Sequence, residues 1–105
     1  MNYQEQITAD TEKINNNYVL KLFVTGASPN SVRAIANIKK ICDTHLAGSY
    51  TLEIIDVYQQ PEMAQQAQLV ALPMLLKSSP LPVRRLIGDM SDSERILAAF
   101  GLNNI

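Results

Sequence analysis

A chain of 105 residues, 47% of them hydrophobic, has the size of one domain and enough apolar material for a single core without metals or crosslinks. Nine basic residues stand against ten acidic ones with no run of like charge, so the electrostatic footprint expected of a DNA- or RNA-binding protein is missing. The single cysteine, Cys42, excludes an intramolecular disulfide and a multi-cysteine metal site and agrees with a reducing compartment.

Residues 1–17 are polar, with only Ile7 and Ile14 as aliphatic residues, and read as a tail with neither a signal peptide nor a membrane anchor, which predicts a cytoplasmic protein. The domain proper is expected over 18–105. Tyr18 to Thr25 is rich in β-branched and aromatic residues and predicts a central strand covered on both faces. Gly26 ends it, and Ser28-Pro29 supplies a cap and first helical residue. Val32, Ile35, Ile38, Cys42 and Leu46 recur at spacings of three and four, which predicts a helix over 29–46 that stops near Gly48.

Thr51 to Tyr58 is the second predicted strand, parallel to the first through a right-handed crossover. Pro61 opens a short helix with Met63, Ala67, Val70 and Ala71 on one face, and Leu72-Pro73 turns the chain back to extended geometry. Met74–Lys77 and Val83–Ile87 read as an antiparallel pair across the proline-rich loop 78–82, closed by Gly88-Asp89. Ser91 with Glu94 has the spacing of a capping box, and Ile96, Leu97, Phe100 and Leu102 give the closing helix its apolar stripe.

The order β-α-β-α-β-β-α, with Pro73 at the start of the third strand, is that of an α/β thioredoxin-like domain. In such domains thiol chemistry sits where the first strand meets the first helix, because the helix dipole lowers a thiol pKa there. Here that loop reads Gly26-Ala27-Ser28-Pro29-Asn30-Ser31, without a cysteine. Cys42 falls in mid-helix on the apolar side, where packing is its expected role, and His45, the sole histidine, sits in the last helical turn as a surface residue. No catalytic arrangement, metal-ligand spacing or phosphate loop emerges, so no catalytic residue, metal or cofactor is predicted. Arg33, Arg84 and Arg85 read individually as solvated residues and together as a partner surface, arginine being enriched at interfaces.

Several ordered strings add a resemblance. Lys21-Leu22-Phe23-Val24-Thr25-Gly26, Pro29-Asn30-Ser31-Val32-Arg33-Ala34, Ile55-Asp56-Val57, Leu72-Pro73 and Pro82-Val83-Arg84-Arg85-Leu86-Ile87-Gly88-Asp89 make residues 18–102 similar to the KaiB family of circadian clock proteins. The resemblance implies a non-enzymatic partner of a KaiC-like ATPase, which in cyanobacteria also engages clock histidine kinases. It implies a homodimer or homotetramer and a switch between a ground-state packing of the carboxyl-terminal half and the thioredoxin-like fold. Gly88 and Asp89 match the family's hinge string. Where family members carry lysines on the surface that meets KaiC, this chain has Glu53, Gln59 and Gln68, and Leu72 stands where threonine is usual, a loss of positive charge that weakens steering. A divergent member acting in stress adaptation is one reading, and a free-standing thioredoxin-like sensor of the clock-kinase type is another. A thiol enzyme resting on Cys42 alone is the third.

Overall fold

The computed structural model describes residues 17–67 and 71–102, and all of the predicted tail over 1–17 except Asn17 lies outside the described residues. The elements run β1 (Tyr18–Val24), α1 (Pro29–His45), β2 (Tyr50–Asp56), α2 (Pro61–Ala67), β3 (Met74–Ser79), β4 (Arg84–Ile87) and α3 (Ser93–Phe100). This is the expected thioredoxin-like order, and the carboxyl-terminal half takes the strand-strand-helix arrangement rather than the alternative packing.

The sheet order is β2-β1-β3-β4. β1 and β2 are parallel, with Lys21 opposite Glu53 and Phe23 opposite Ile55, as a helical crossover requires. β3 runs antiparallel to β1 and to β4, with Leu76 opposite both Lys21 and Arg85. Side chains alternate across this sheet. Leu20, Leu22 and Val24 of β1, Leu75 of β3 and Leu86 of β4 meet Ala34, Ile38, Ile41, Cys42 and Leu46 of α1 and Ile96 and Phe100 of α3 in the main core. On the opposite face a smaller cluster of Phe23, Ile55 and Met74 is covered by Met63 of α2 and by Val57 and Leu72. The result is three layers, with α1 and α3 on one side of the sheet and the short α2 on the other.

α1 begins where the sequence places it: the Ser28 side chain accepts from the Ser31 N–H, and Pro29 occupies the first turn, where its missing N–H is not needed. The buried face of α1 differs from the predicted stripe at its start. Ser31 and Ala34 are buried, whereas Val32 is 53% exposed, because the stripe that continues through Ile38 and Cys42 leaves Val32 on the solvent side. Cys42 packs in the core as expected.

At the other end of the chain, the predicted capping box does not form. Asp92, one residue after Ser91, is the N-cap of α3, and its carboxylate accepts from the Arg95 N–H at 3.1 Å. α3 ends on Gly101 in the left-handed region, φ +79°, and is fixed to the first strand by the Tyr18 hydroxyl, which donates to the Phe100 carbonyl at 2.6 Å while the two rings tilt together at 5.4 Å.

Candidate interaction surface

The β1–α1 loop, the place a thiol would occupy, is a closed set of hydroxyls. The Thr25 N–H donates to Ser31 Oγ at 3.1 Å, Ser28 Oγ donates to Ser31 Oγ at 2.8 Å, and the Thr25 and Ser28 hydroxyls share a bond of 3.2 Å. Ser31 is fully buried with its polar needs met inside this set. Gly26, at φ +58°, donates its N–H to the Asp56 carboxylate at 3.2 Å, and the same carboxylate oxygen accepts from the Tyr58 N–H at 2.9 Å. Asp56 therefore latches the end of β2 onto the loop, which is why the second strand stops at Asp56 instead of running to Tyr58. The Tyr58 ring covers Gly26: a Cβ there would stand 3.5 Å from the ring edge. With 75% of its surface exposed, Tyr58 is a feature of this surface that the sequence reading hid inside a strand.

The sole thiol is remote in character from that loop. Burial first, and the neighbouring Asp43 charge second, push the Cys42 pKa up to about 12, so the group is a thiol and not a thiolate at neutral pH.

The three arginines separate. Arg33, in α1, is not a free surface cation: its Nε donates to Asp89 Oδ2 at 3.3 Å, and its guanidinium also bonds the Asn30 side-chain oxygen. The Asn37 amide donates to the Asp89 carbonyl at 2.9 Å, and the Ser91 N–H donates to Asp89 Oδ1 at 3.1 Å. Hydrogen bonds from Ser91, with a smaller share from Arg33, hold the Asp89 carboxyl below the usual carboxylate range. Gly88, at φ +125°, donates its N–H to the Pro73 carbonyl at 3.0 Å, and Met90, at φ +63°, directs its side chain into the core. The predicted hinge pair Gly88-Asp89 and the strand-opening Pro73 thus meet at one place, clasped to α1 by Arg33 and Asn37.

Arg84 and Arg85 lie on β4, at one edge of the sheet, and point to opposite faces. Among the described residues neither makes an ion pair or a side-chain hydrogen bond, in contrast to Arg33. Arg84 has a cationic neighbour instead: Lys77, only 3% exposed, donates to the Pro80 carbonyl at 2.6 Å, and burial first, then the Arg84 charge, lower its pKa.

Glu53 sits on β2, at the other edge, and shares a face and a row with Arg85 through the order Glu53, Lys21, Leu76, Arg85. Three strand spacings of about 4.8 Å put them on the order of 14 Å apart, so they flank one face without touching. Gln59 is exposed in the turn after β2, its N–H donating to the Asp56 carbonyl at 3.0 Å. Gln68 lies outside the described residues. Among the described residues no group of three His, Cys, Asp or Glu side chains could hold a metal ion, and no helix is long and apolar enough to cross a membrane.

A mixed four-stranded sheet between two helices and one, with hydroxyls in the β1–α1 loop, defines a thioredoxin-like domain without the fold's thiol pair. Solved structures agree on this class: the N-terminal domain of Synechococcus elongatus SasA superposes with a TM-score of 0.68 at 25% identity, covering 85% of this chain and 87% of that one. Mitochondrial thioredoxin 3 of Saccharomyces cerevisiae gives a TM-score of 0.66 at 13% identity, a likeness of fold, covering 90% of this chain and 88% of that one. The KaiB domain family model matches residues 21–102, and the chain belongs to the KaiB family. It is 47% identical over 85 residues to the circadian clock oscillator protein KaiB of Synechococcus elongatus, covering 81% of this chain and 83% of that protein. The KaiB of a Picosynechococcus species is 48% identical over 85 residues, with coverages of 81% and 82%.

Proposed function

We propose that this protein is a non-catalytic binding module that regulates a KaiC-like ATPase from the cytoplasm, with no cofactor of its own. The observation that carries this reading is the match of residues 21–102 to the KaiB domain together with 47% identity to a protein named as a clock oscillator component. The chemistry of the fold supports it. Where a thioredoxin-like enzyme would need a thiolate, the hydroxyls of Thr25, Ser28 and Ser31 satisfy one another, and Cys42 is buried and protonated.

The partner surface is the sheet face that carries Glu53 and Arg85, with Gln59 and Tyr58 at its rim. Arg33 contributes through the conformation of the Gly88-Asp89 turn that it clasps. With Glu53 and Gln59 in place of lysines, electrostatic steering toward the ATPase is weak, which suits a divergent regulator acting in stress adaptation better than a full oscillator component.

The test is size-exclusion chromatography with light scattering, on the protein alone and with the KaiC-like ATPase of the same genome plus ATP. A co-migrating complex is expected, and the protein alone is expected to run as a homodimer or homotetramer in its resting state. Clean separation from the ATPase under every nucleotide condition would remove the reading. The second reading, a free-standing sensor of the clock-kinase type, is favoured by the likeness to the SasA N-terminal domain. It predicts a monomer that captures a histidine kinase and not the ATPase.

A further inference from the structure

β4 ends the sheet, and among the described residues no strand pairs with its outer edge. The Gly88 N–H donates to the Pro73 carbonyl, so Gly88 faces β3, and in an antiparallel ladder the residues that face the partner strand alternate. Leu86 and Arg84 then bond β3, while the backbone N–H and C=O groups of Arg85 and Ile87 point away from the sheet. An exposed row of such groups is a template for another strand, and proteins blunt it with charge or shortness unless it is used.

This edge carries more than blunting requires. Three of the large apolar residues exposed in this chain, Leu81, Val83 and Ile87, fall on β4 or its approach, with Ile87 45% exposed. Arg84 and Arg85 stand among them on the two faces, without an ion pair among the described residues. At the Ile87 end, a cleft of about 140 Å³ lined by Leu86, Ile87, Gly88, Met90, Arg95 and Ile96 opens between the strand and α3.

We propose that β4 is a docking edge for an extended segment of another protein, added as a further antiparallel strand and carrying two consecutive acidic residues opposite Arg84 and Arg85. Consecutive acids are required because the two arginines lie on opposite faces, so neighbouring side chains of the incoming strand meet one each. At the Ile87 end the segment is apolar, because Ile87 is exposed there beside Leu86, Met90 and Ile96, and the charges that line the cleft, Asp89, Asp92 and Arg95, are of mixed sign and give an acid no such partner as Arg84 and Arg85 do. The charge pattern disfavours a second copy of this chain as occupant: antiparallel pairing of β4 with itself through the outward-facing groups sets Arg85 opposite Ile87, leaves the two Arg85 side chains as diagonal neighbours, and gives none of the arginines an acidic partner. Main-chain bonding supplies affinity and the arginines set register and partner. The proposal does not depend on the ATPase reading, because its test uses this protein alone.

The experiment is a titration of the full chain with the capped peptide Thr-Val-Thr-Glu-Glu-Val-Thr, followed by amide hydrogen exchange. Strand addition slows exchange at Arg85 and Ile87 by about tenfold or more, with Leu86, already bonded to β3, unchanged. A peptide methylated on the backbone nitrogen of its first glutamate keeps its charge but loses a strand hydrogen bond, and it is expected not to protect either amide. The paired change Arg84→Glu and Arg85→Glu, with its fold checked by circular dichroism, is expected to lose the acidic peptide and to accept one with lysines in place of the glutamates. Equal protection by the methylated peptide would reduce the contact to charge attraction and overturn strand addition. Protection of Arg85 and Ile87 already present in the free protein would mean that the edge is covered by this chain or a second copy of it, and would overturn the proposal as well. If the peptide fails while the ATPase co-migrates, the docking edge falls and the functional reading stands.

Discussion

The two helices that pack on the same face of the sheet begin in different ways. α1 starts in a loop whose hydroxyl bonds close within six residues, from Thr25 to Ser31, with one longer tie, from the Gly26 N–H to the Asp56 carboxylate. The start of α3 has a local cap in Asp92, but the turn that delivers it is held by Arg33 and Asn37, which lie 56 and 52 positions before Asp89. The first junction needs only its own hydroxyls and the neighbouring β2, all within the amino-terminal βαβ unit. The second is complete only when the whole domain has closed, and its long-range ties are few, one exposed and one partly buried. The amino-terminal βαβ unit is thus a scaffold, and the Gly88–Asp92 turn beside β4 is where small changes in free energy should show first.

The strongest way to test that contrast is to damage the scaffold. Ile38, fully buried between α1 and the sheet, loses its packing in Ile38→Ala, and a loss of about 2–5 kcal/mol is expected from chemical denaturation. If the scaffold supports both junctions, near-ultraviolet signals and amide protection at β1 and at α3 should fall together. Loss at α3 alone would mean the two halves do not share one cooperative unit.

The next effect is an alkaline one. Burial raises the Cys42 pKa from 9.0 to about 12, so folding favours the neutral thiol. Its stabilising contribution is whole below pH 9.0 and is lost as pH rises toward 12. The Tyr50 hydroxyl, which donates to Asp43 at 2.6 Å, is raised in the same direction, chiefly by that bond, while Lys77 is lowered and opposes both. Cys42→Ala isolates the thiol: the gap in denaturation midpoint between wild type and variant should narrow as pH climbs past 9.0. A constant gap would show that the thiol keeps its ordinary pKa in the fold.

Much of the scaffold is legible in the residues, because Tyr18 to Val24 is an unbroken β-forming run and Ser28-Pro29 is an unambiguous helix start. Ser31 is the exception that shifted the helix face. A serine reads as surface, yet here its hydroxyl is satisfied by Thr25 and Ser28, so it can be buried, and Val32 is displaced to solvent. The carboxyl-terminal site is less legible. Ser91 and Glu94 have capping-box spacing, but Ser91 is engaged by Asp89, and Asp92 takes the cap. The separation of Arg33 from Arg84 and Arg85 cannot be seen without the topology, since only the packing of α1 beside the Gly88-Asp89 turn gives Arg33 its partner. Tyr58 is hidden for a similar reason: its exposure follows from the Asp56 latch, a contact across thirty positions.

The cap itself gives the third prediction. Asp92→Ala removes the acceptor for the Arg95 N–H and should cost about 1 kcal/mol, whereas Ser91→Ala leaves the cap in place and should cost less. The reverse order would restore the capping-box reading.

The smallest effect is also the sharpest on the long-range tie. The Asp89 carboxyl titrates below its ordinary value of 3.8, so its stabilising contribution is present above that pH and is lost as acid takes the solution down through the lowered pKa. Its largest cause is the hydrogen bond from the Ser91 side chain, ahead of that from the Ser91 N–H, with Arg33 contributing less, as befits a partly exposed ion pair screened by solvent. Carboxyl carbon shifts followed during acid titration should therefore show Ser91→Ala raising the Asp89 pKa more than Arg33→Ala does. Arg33→Ala should nonetheless speed amide exchange across Gly88–Asp92, because it removes a contact that joins this turn to the scaffold. If Arg33→Ala moves the pKa more and leaves exchange untouched, then Arg33 acts on Asp89 as a charge only, and the turn is held by Asn37 and Pro73 without it.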